Sequence, residues 1–162
     1  MLEAHEFTVG SLEDAKPLTL VLPLDSGYGV PFLVGSSEEE AVAVFLDGEH
    51  RYKAFKTAGN DSWDGLLIPD VRIEVDEKSA FEPSNQAAMP GAVICKGSGL
   101  VLNARVEGWR PVKWPITLVK GAGLVARTSV GFSKWNVVLG VGSEKRILFE
   151  VSITESSPKG AN

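Results

Sequence analysis

Residues 91–153 read GAVICKGSGLVLNARVEGWRPVKWPITLVKGAGLVARTSVGFSKWNVVLGVGSEKRILFEVSI, and how this stretch is parsed decides the fold. Short apolar runs alternate with glycine-bearing breaks. Val93-Ile94-Cys95-Lys96 turns at Gly97-Ser98-Gly99 into the run 100–107, and Gly108-Trp109-Arg110-Pro111 interrupts it. Further runs are expected over 114–120, 124–130, 135–141 and 146–153, separated by Gly121-Ala122-Gly123, Gly131-Phe132-Ser133-Lys134 and Gly142-Ser143-Glu144. Runs of this length, rich in β-branched residues and closed by turn formers, are strands. Period-two alternation places Leu100, Leu102, Ala104 and Val106 inward, with Val101, Asn103, Arg105 and Glu107 on the opposite face. The same rule sends Ile147, Phe149, Val151 and Ile153 inward and makes Trp135 a core residue alongside Val137 and Leu139.

Upstream, residues 7–9 suit a short edge strand ending at Gly10. Leu18-Thr19-Leu20-Val21-Leu22 between Pro17 and Pro23 has the continuous apolar character of a buried strand. Val30-Pro31-Phe32-Leu33-Val34 continues after the turn Asp25-Ser26-Gly27. Residues 37–47 carry two competing signals. Ser37 and Glu40 have capping-box spacing and Gly48 could cap a helix C-terminus, but Ala41-Val42-Ala43-Val44-Phe45-Leu46 runs into Asp47-Gly48, a hairpin dipeptide. Strand is the preferred reading, with residues 51–56 as its partner. Val71, Ile73 and Val75 alternate inward against Arg72, Glu74 and Asp76, and residues 78–91 form a surface connection.

The expected fold is therefore all-β and antiparallel, a β-barrel or two-sheet β-sandwich with a C-terminal meander, and at most one short helix near 37–47. The chain of 162 residues suits a single β domain over 1–155 with a flexible tail from 156 to 162. A 44% hydrophobic and 23% charged composition belongs to a packed globular chain. The net charge of -5 gives no basic footprint for nucleic acid. No apolar stretch approaches the roughly 18 residues that span a bilayer, so no membrane partner is expected. The lone Cys95 permits no internal disulfide, and the acidic start with Glu3, His5 and Glu6 lacks the basic and apolar regions of a signal peptide, which points to the cytoplasm.

Motifs that carry chemistry are weak throughout. Asn60-Asp61-Ser62-Trp63-Asp64-Gly65 resembles the start of a calcium loop, yet its twelfth position is Val71 where a bidentate Glu is needed. Glu74 and Asp76 share a face with Arg72, as solvated carboxylates do. His5 and His50 are too few for a histidine metal centre, no Gly-x-Ser-x-Gly elbow marks a nucleophile, and Cys95 lies in an apolar run. The glycine-rich breaks precede strands, so they lack the helix N-terminus of a phosphate cradle. No metal or cofactor is expected. The leading expectation is a non-enzymatic domain holding a small ligand, with Asn103, Arg105, Trp109 and Arg127 on the polar faces of the meander as binding residues. The alternative is an interaction protein whose strand edges pair with a protein partner or with a second copy as a homo-oligomer. An enzyme using acidic residues in 61–76 is the least favoured reading.

Overall fold

The computed structural model describes residues 1–24, 29–60, 64–83, 89–105, 113–121 and 129–153, without the side chains at 113 and 114. Fourteen strands make up these segments. The N-terminal half contains β1 (Thr8–Ser11), β2 (Thr19–Pro23), β3 (Phe32–Ser37), β4 (Glu40–Phe45), β5 (Ala54–Lys56), β6 (Asp64–Ile68) and β7 (Arg72–Val75). The C-terminal half contains β8 (Ala80–Phe81), β9 (Val93–Lys96), β10 (Gly99–Arg105), β11 (Lys113–Val119), β12 (Ser129–Phe132), β13 (Lys134–Leu139) and β14 (Arg146–Ser152). All strand pairings are antiparallel, and only three short 3-10 turns, at Leu12–Asp14, Glu77–Ser79 and Gly142–Glu144, are helical among the described residues.

The strands form two sheets in a sandwich-like arrangement. The larger has eleven strands in the order β1-β6-β2-β3-β11-β10-β9-β12-β8, with β4 and β5 branching from β3. The smaller is β14-β13-β7. The C-terminal meander is thus shared. β9, β10 and β11 are successive antiparallel neighbours, β12 returns to pair with β9, and the β13–β14 hairpin lies in the second sheet. The break falls at Ser133, whose N–H reaches Ser79 and whose carbonyl accepts from Ile153 N at 2.8 Å.

Between barrel and sandwich, the ladder decides for the sandwich. The branch β3-β4-β5 swings toward β10, and a single parallel bridge, Lys53 with Arg105, meets it. Arg105 N donates to Tyr52 O at 2.6 Å, but no ladder continues among the described residues, so no closed barrel forms. At the β3–β11 crossing only Thr117 and Ser36 pair. Gly35 makes that approach feasible: a Cβ there would lie 2.5 Å from Ile116 Cγ2 and 2.8 Å from Thr117 O.

Two cores result. The main one fills the space between the sheets with Leu20, Leu33, Val42, Val44, Ile68, Leu102, Ile116, Trp135 and Val137, among others. A second lies on the reverse face of β2, β3 and β4, where Val21, Phe32, Val34, Ala43 and Phe45 pack with Leu12 of the first 3-10 turn and with Ala15, its C-cap. Phe32, Phe45 and Phe55 meet there edge-on or tilted, with centroids 4.8–5.5 Å apart. Burial on both faces is why these strands read as continuous apolar runs.

Residues 37–47 contain strand and no helix, as preferred, and β4 pairs with β5 across a connection that contains Asp47-Gly48. β3 and β4 meet in a two-residue hairpin at Glu38-Glu39, with φ of +50° and +68°. The partner strand shrinks to β5, because 47–52 are taken up in bends and turns and Lys53 makes only its bridge to Arg105. One inward assignment is overturned. β14 carries a bulge at Leu148, since Phe149 pairs with Val137 while Ile147 pairs with Val138. The extra residue inverts the alternation before it, so Ile147 is 49% exposed and Leu148 packs on the core instead.

Candidate functional site

Of the four residues expected to bind a ligand, Asn103 and Arg105 are described, while Trp109 and Arg127 lie outside the described residues. Asn103 and Arg105 share the outer face of β10. Asn103 is buried at 8% exposure, and its backbone is tied to residues 91 and 92: Gly91 N donates to its carbonyl at 2.7 Å, and its own N–H donates to Ala92 O at 2.9 Å. Arg105 is exposed to solvent. Their surroundings are a structural knot. Gly91, at φ +90°, lies against the Tyr52 ring, and its carbonyl accepts the buried Trp135 Nε1–H at 2.7 Å. Burial pushes the Tyr52 hydroxyl pKa up, with Arg51 above the ring 5.9 Å from its centroid opposing the rise.

Among the described residues, the acidic residues of 61–76 do not gather into one cluster. Asp64 sits on β6 in the large sheet and Glu74 on β7 in the small one. Both Glu74 oxygens are 2.9 Å from Lys145 Nζ, and Asp76 caps the 77–79 turn by accepting from Lys78 N at 3.0 Å. Asp61 lies outside the described residues. Burial raises the Cys95 thiol pKa, which disfavours the thiolate a nucleophile needs. His5 pairs with Glu3 at 3.4 Å, and His50 Nδ1 lies 3.2 Å from Lys53 Nζ beside the Phe45 ring. Among the described residues no group of three or more His, Cys, Asp or Glu is placed to hold a metal ion.

A cleft of about 230 Å³ forms elsewhere, lined by Glu13, Glu40, Ala41, Lys56, Thr57 and Ala58. Its walls come from three places in the sequence. Ser11 caps the first 3-10 turn by accepting from Glu13 N at 3.2 Å, and Leu12, fully buried, nails that turn onto the second core. Glu40 opens β4 and Lys56 closes β5. Lys56 lies opposite Val42, so Glu40 is its diagonal neighbour on the same face, and the two side chains pair at 2.7 Å. The hydrogen bond that Lys56 donates to Glu40 holds its ammonium above its ordinary pKa, and Glu38 at the hairpin tip adds to this. Thr57, 2% exposed, forms the floor: its N–H and Oγ1 both donate to Ala41 O, at 3.2 and 3.4 Å. Glu13 and the Glu40–Lys56 pair therefore line one small cleft together with Ala41, Thr57 and Ala58. The site was illegible beforehand because Glu13 is far from Glu40 in the chain and no spacing links them; the only signal was the Glu40/Lys56 cross-strand pair implied by a β4–β5 hairpin.

No helix among the described residues is long and apolar enough to cross a membrane. No solved structure matches the chain. The chain is 36% identical over 161 residues to "Uncharacterized protein y4lG" of Sinorhizobium fredii (strain NBRC 101917 / NGR234), covering 99% of each protein. The family described as "Uncharacterised protein y4lG" matches residues 9–159. With near full-length agreement on both counts, the chain belongs to the y4lG family.

Proposed function

We propose that this protein is a non-enzymatic domain that binds a small polar molecule in the cleft between the first 3-10 turn, β4 and β5. The observation that supports this is the cleft's lining: Glu13, Glu40 and Lys56 around an alanine and threonine floor. Pockets for drug-sized ligands run to about 300–1,000 Å³, so about 230 Å³ suits a molecule of amino-acid size. A ligand carrying an ammonium for Glu13 and a carboxylate for Lys56 meets both charges. A reducing compartment such as the cytoplasm fits the unpaired, half-buried Cys95.

Titrating labelled protein with a panel of free amino acids and short diamines, followed by amide NMR, tests the reading. Shifts should concentrate at Glu13, Ala41, Thr57 and Ala58 and should weaken several-fold in Glu13→Gln and Lys56→Met. Absence of shifts at those amides up to ~10 mM, where even millimolar binding is visible, removes the proposal.

Assembly through strand edges is the lesser reading. It is favoured by exposed Ile147 on β14, the outer strand of the small sheet. Against it, β1, β5, β7 and β8 are only two to four residues long, and β14 is bulged, which are ways of blunting an edge. Sedimentation velocity across a wide concentration range separates the two readings.

A further inference from the structure

Asp-Gly occurs twice in the chain, at Asp47-Gly48 and Asp64-Gly65, and the fold treats the two copies differently. A glycine nitrogen following aspartate is an open nucleophile toward the side-chain carboxyl carbon, because no Cβ shields it. Reaction requires the chain to bend so that the two atoms meet. At the first copy the chain is already bent so that the carboxyl group folds back onto that nitrogen: Gly48 N–H donates to Asp47 Oδ1 at 2.8 Å, outside any strand, and Gly48 adopts φ +81°. The Asp47 side chain is 50% exposed, open to water. At the second copy the backbone is stretched within β6. Asp64 and Gly65 pair with Ser11 and Gly10 of β1, and Gly65 also pairs with Pro23 of β2. Flanked by strands on both sides, that segment cannot bend without breaking two ladders.

We propose that Asp47-Gly48 is a site of spontaneous backbone rearrangement through a succinimide, and that the sheet protects Asp64-Gly65 from the same chemistry. Gly48 N attacks Asp47 Cγ, an N–Cγ bond forms, and the amide proton leaves with the carboxyl hydroxyl as water. Water then adds to one of the two ring carbonyls. Opening at the main-chain carbonyl leaves an isoaspartate, with one extra methylene in the backbone; opening at the side-chain carbonyl restores aspartate. No oxidant or other reactant enters. The reactive electrophile is the protonated carboxyl. Arg51, whose guanidinium donates to Asp47 Oδ1 at 3.0 Å, acts as a brake by tethering the carboxyl group that must turn its carbon toward Gly48 N. The added methylene lands in the turn that sets Tyr52 N on Phe45 O at 2.7 Å and presents Tyr52 O to Arg105. Rearrangement thus loosens the contact between the β5 branch and β10.

The test is to age the folded full-length protein in mildly acidic buffer at physiological temperature and map its peptides by mass spectrometry. A species lighter by one water and an isoaspartate should appear at residue 47 and remain several-fold scarcer at residue 64. In urea-unfolded protein the two sites should react at similar rates. Arg51→Ala should quicken the reaction at 47 by about two- to five-fold, the range an exposed ion pair of this kind supports. Equal rates at both sites in the folded protein, or modification confined to the unfolded one, overturn the proposal. An unchanged rate in Arg51→Ala overturns the part assigned to Arg51.

Discussion

Gly91→Ala is expected to be far more damaging than an ordinary glycine replacement. Gly91 sits at φ +90°, where a residue with a Cβ is strained by roughly 1–2 kcal/mol. Its Cβ would also lie 2.5 Å from Tyr52 Cζ and 2.6 Å from both Cε atoms. Carbon atoms prefer about 3.5–4.0 Å, so the ring must retreat by about an ångström. It has nowhere to go, because Tyr52 is 8% exposed and its N–H and carbonyl are bonded to Phe45 and Arg105. Overpacking of this kind costs about 1–3 kcal/mol. Restricting the unfolded chain offsets about 0.4–1 kcal/mol, for a net loss of roughly 1–4.5 kcal/mol. Gly59 is the matched control. It has φ +85°, and a Cβ placed there would meet nothing within 4 Å, so its replacement carries the backbone strain alone. Urea unfolding of Gly91→Ala and Gly59→Ala should differ by about 1–3 kcal/mol, a midpoint difference of about 0.5–1.5 M at a slope near 2 kcal/mol/M. Placing Tyr52→Ala behind Gly91→Ala should erase most of the excess. Two variants equal within about 0.5 kcal/mol, the usual additivity error, refute the packing argument.

Two further outcomes follow from backbone strain and from charge. Replacing Glu38-Glu39 by Asn-Gly should stabilise the protein by about 1–3 kcal/mol, because φ +50° and +68° suit that pair in a two-residue hairpin. Calorimetry should then show a melting temperature higher by roughly 2–12 °C, and an unchanged or lower value rejects the strain. The Glu6 carboxyl is held below its ordinary pKa first by the Glu3 N–H at 2.8 Å and then by Arg146. Its contribution is present above the unfolded carboxylate value of about 4.3 and disappears as pH falls through the lower folded value. Melting temperature should therefore fall less steeply in Glu6→Gln than in the parent on acidification below about pH 5; parallel curves rule the interaction out.

The sequence alone settled the class of fold, because local chemistry does so. Alternation at Leu100, Leu102 and Ala104 and the burial of Trp135 are properties of neighbouring residues, and both hold, whereas Gly131, expected to close a run, lies inside β12. Even the 37–47 ambiguity resolved toward strand on propensity. Only tertiary structure could decide which strands share a sheet. Ladder bonds form between backbones that carry no residue code, so β12 and β13, separated by Ser133 alone, pass to different sheets unseen. The bulge that turns Ile147 outward lies in the pairing of β14 with β13, not in either strand's composition. The doubled core explains another silence: a strand buried on both faces shows no period, so the runs at 18–22 and 41–46 revealed burial but not its direction. The cleft required all of these at once. Glu13, Glu40 and Lys56 stand together only because Leu12 anchors the first turn to a core that β2, β3 and β4 build on their reverse face.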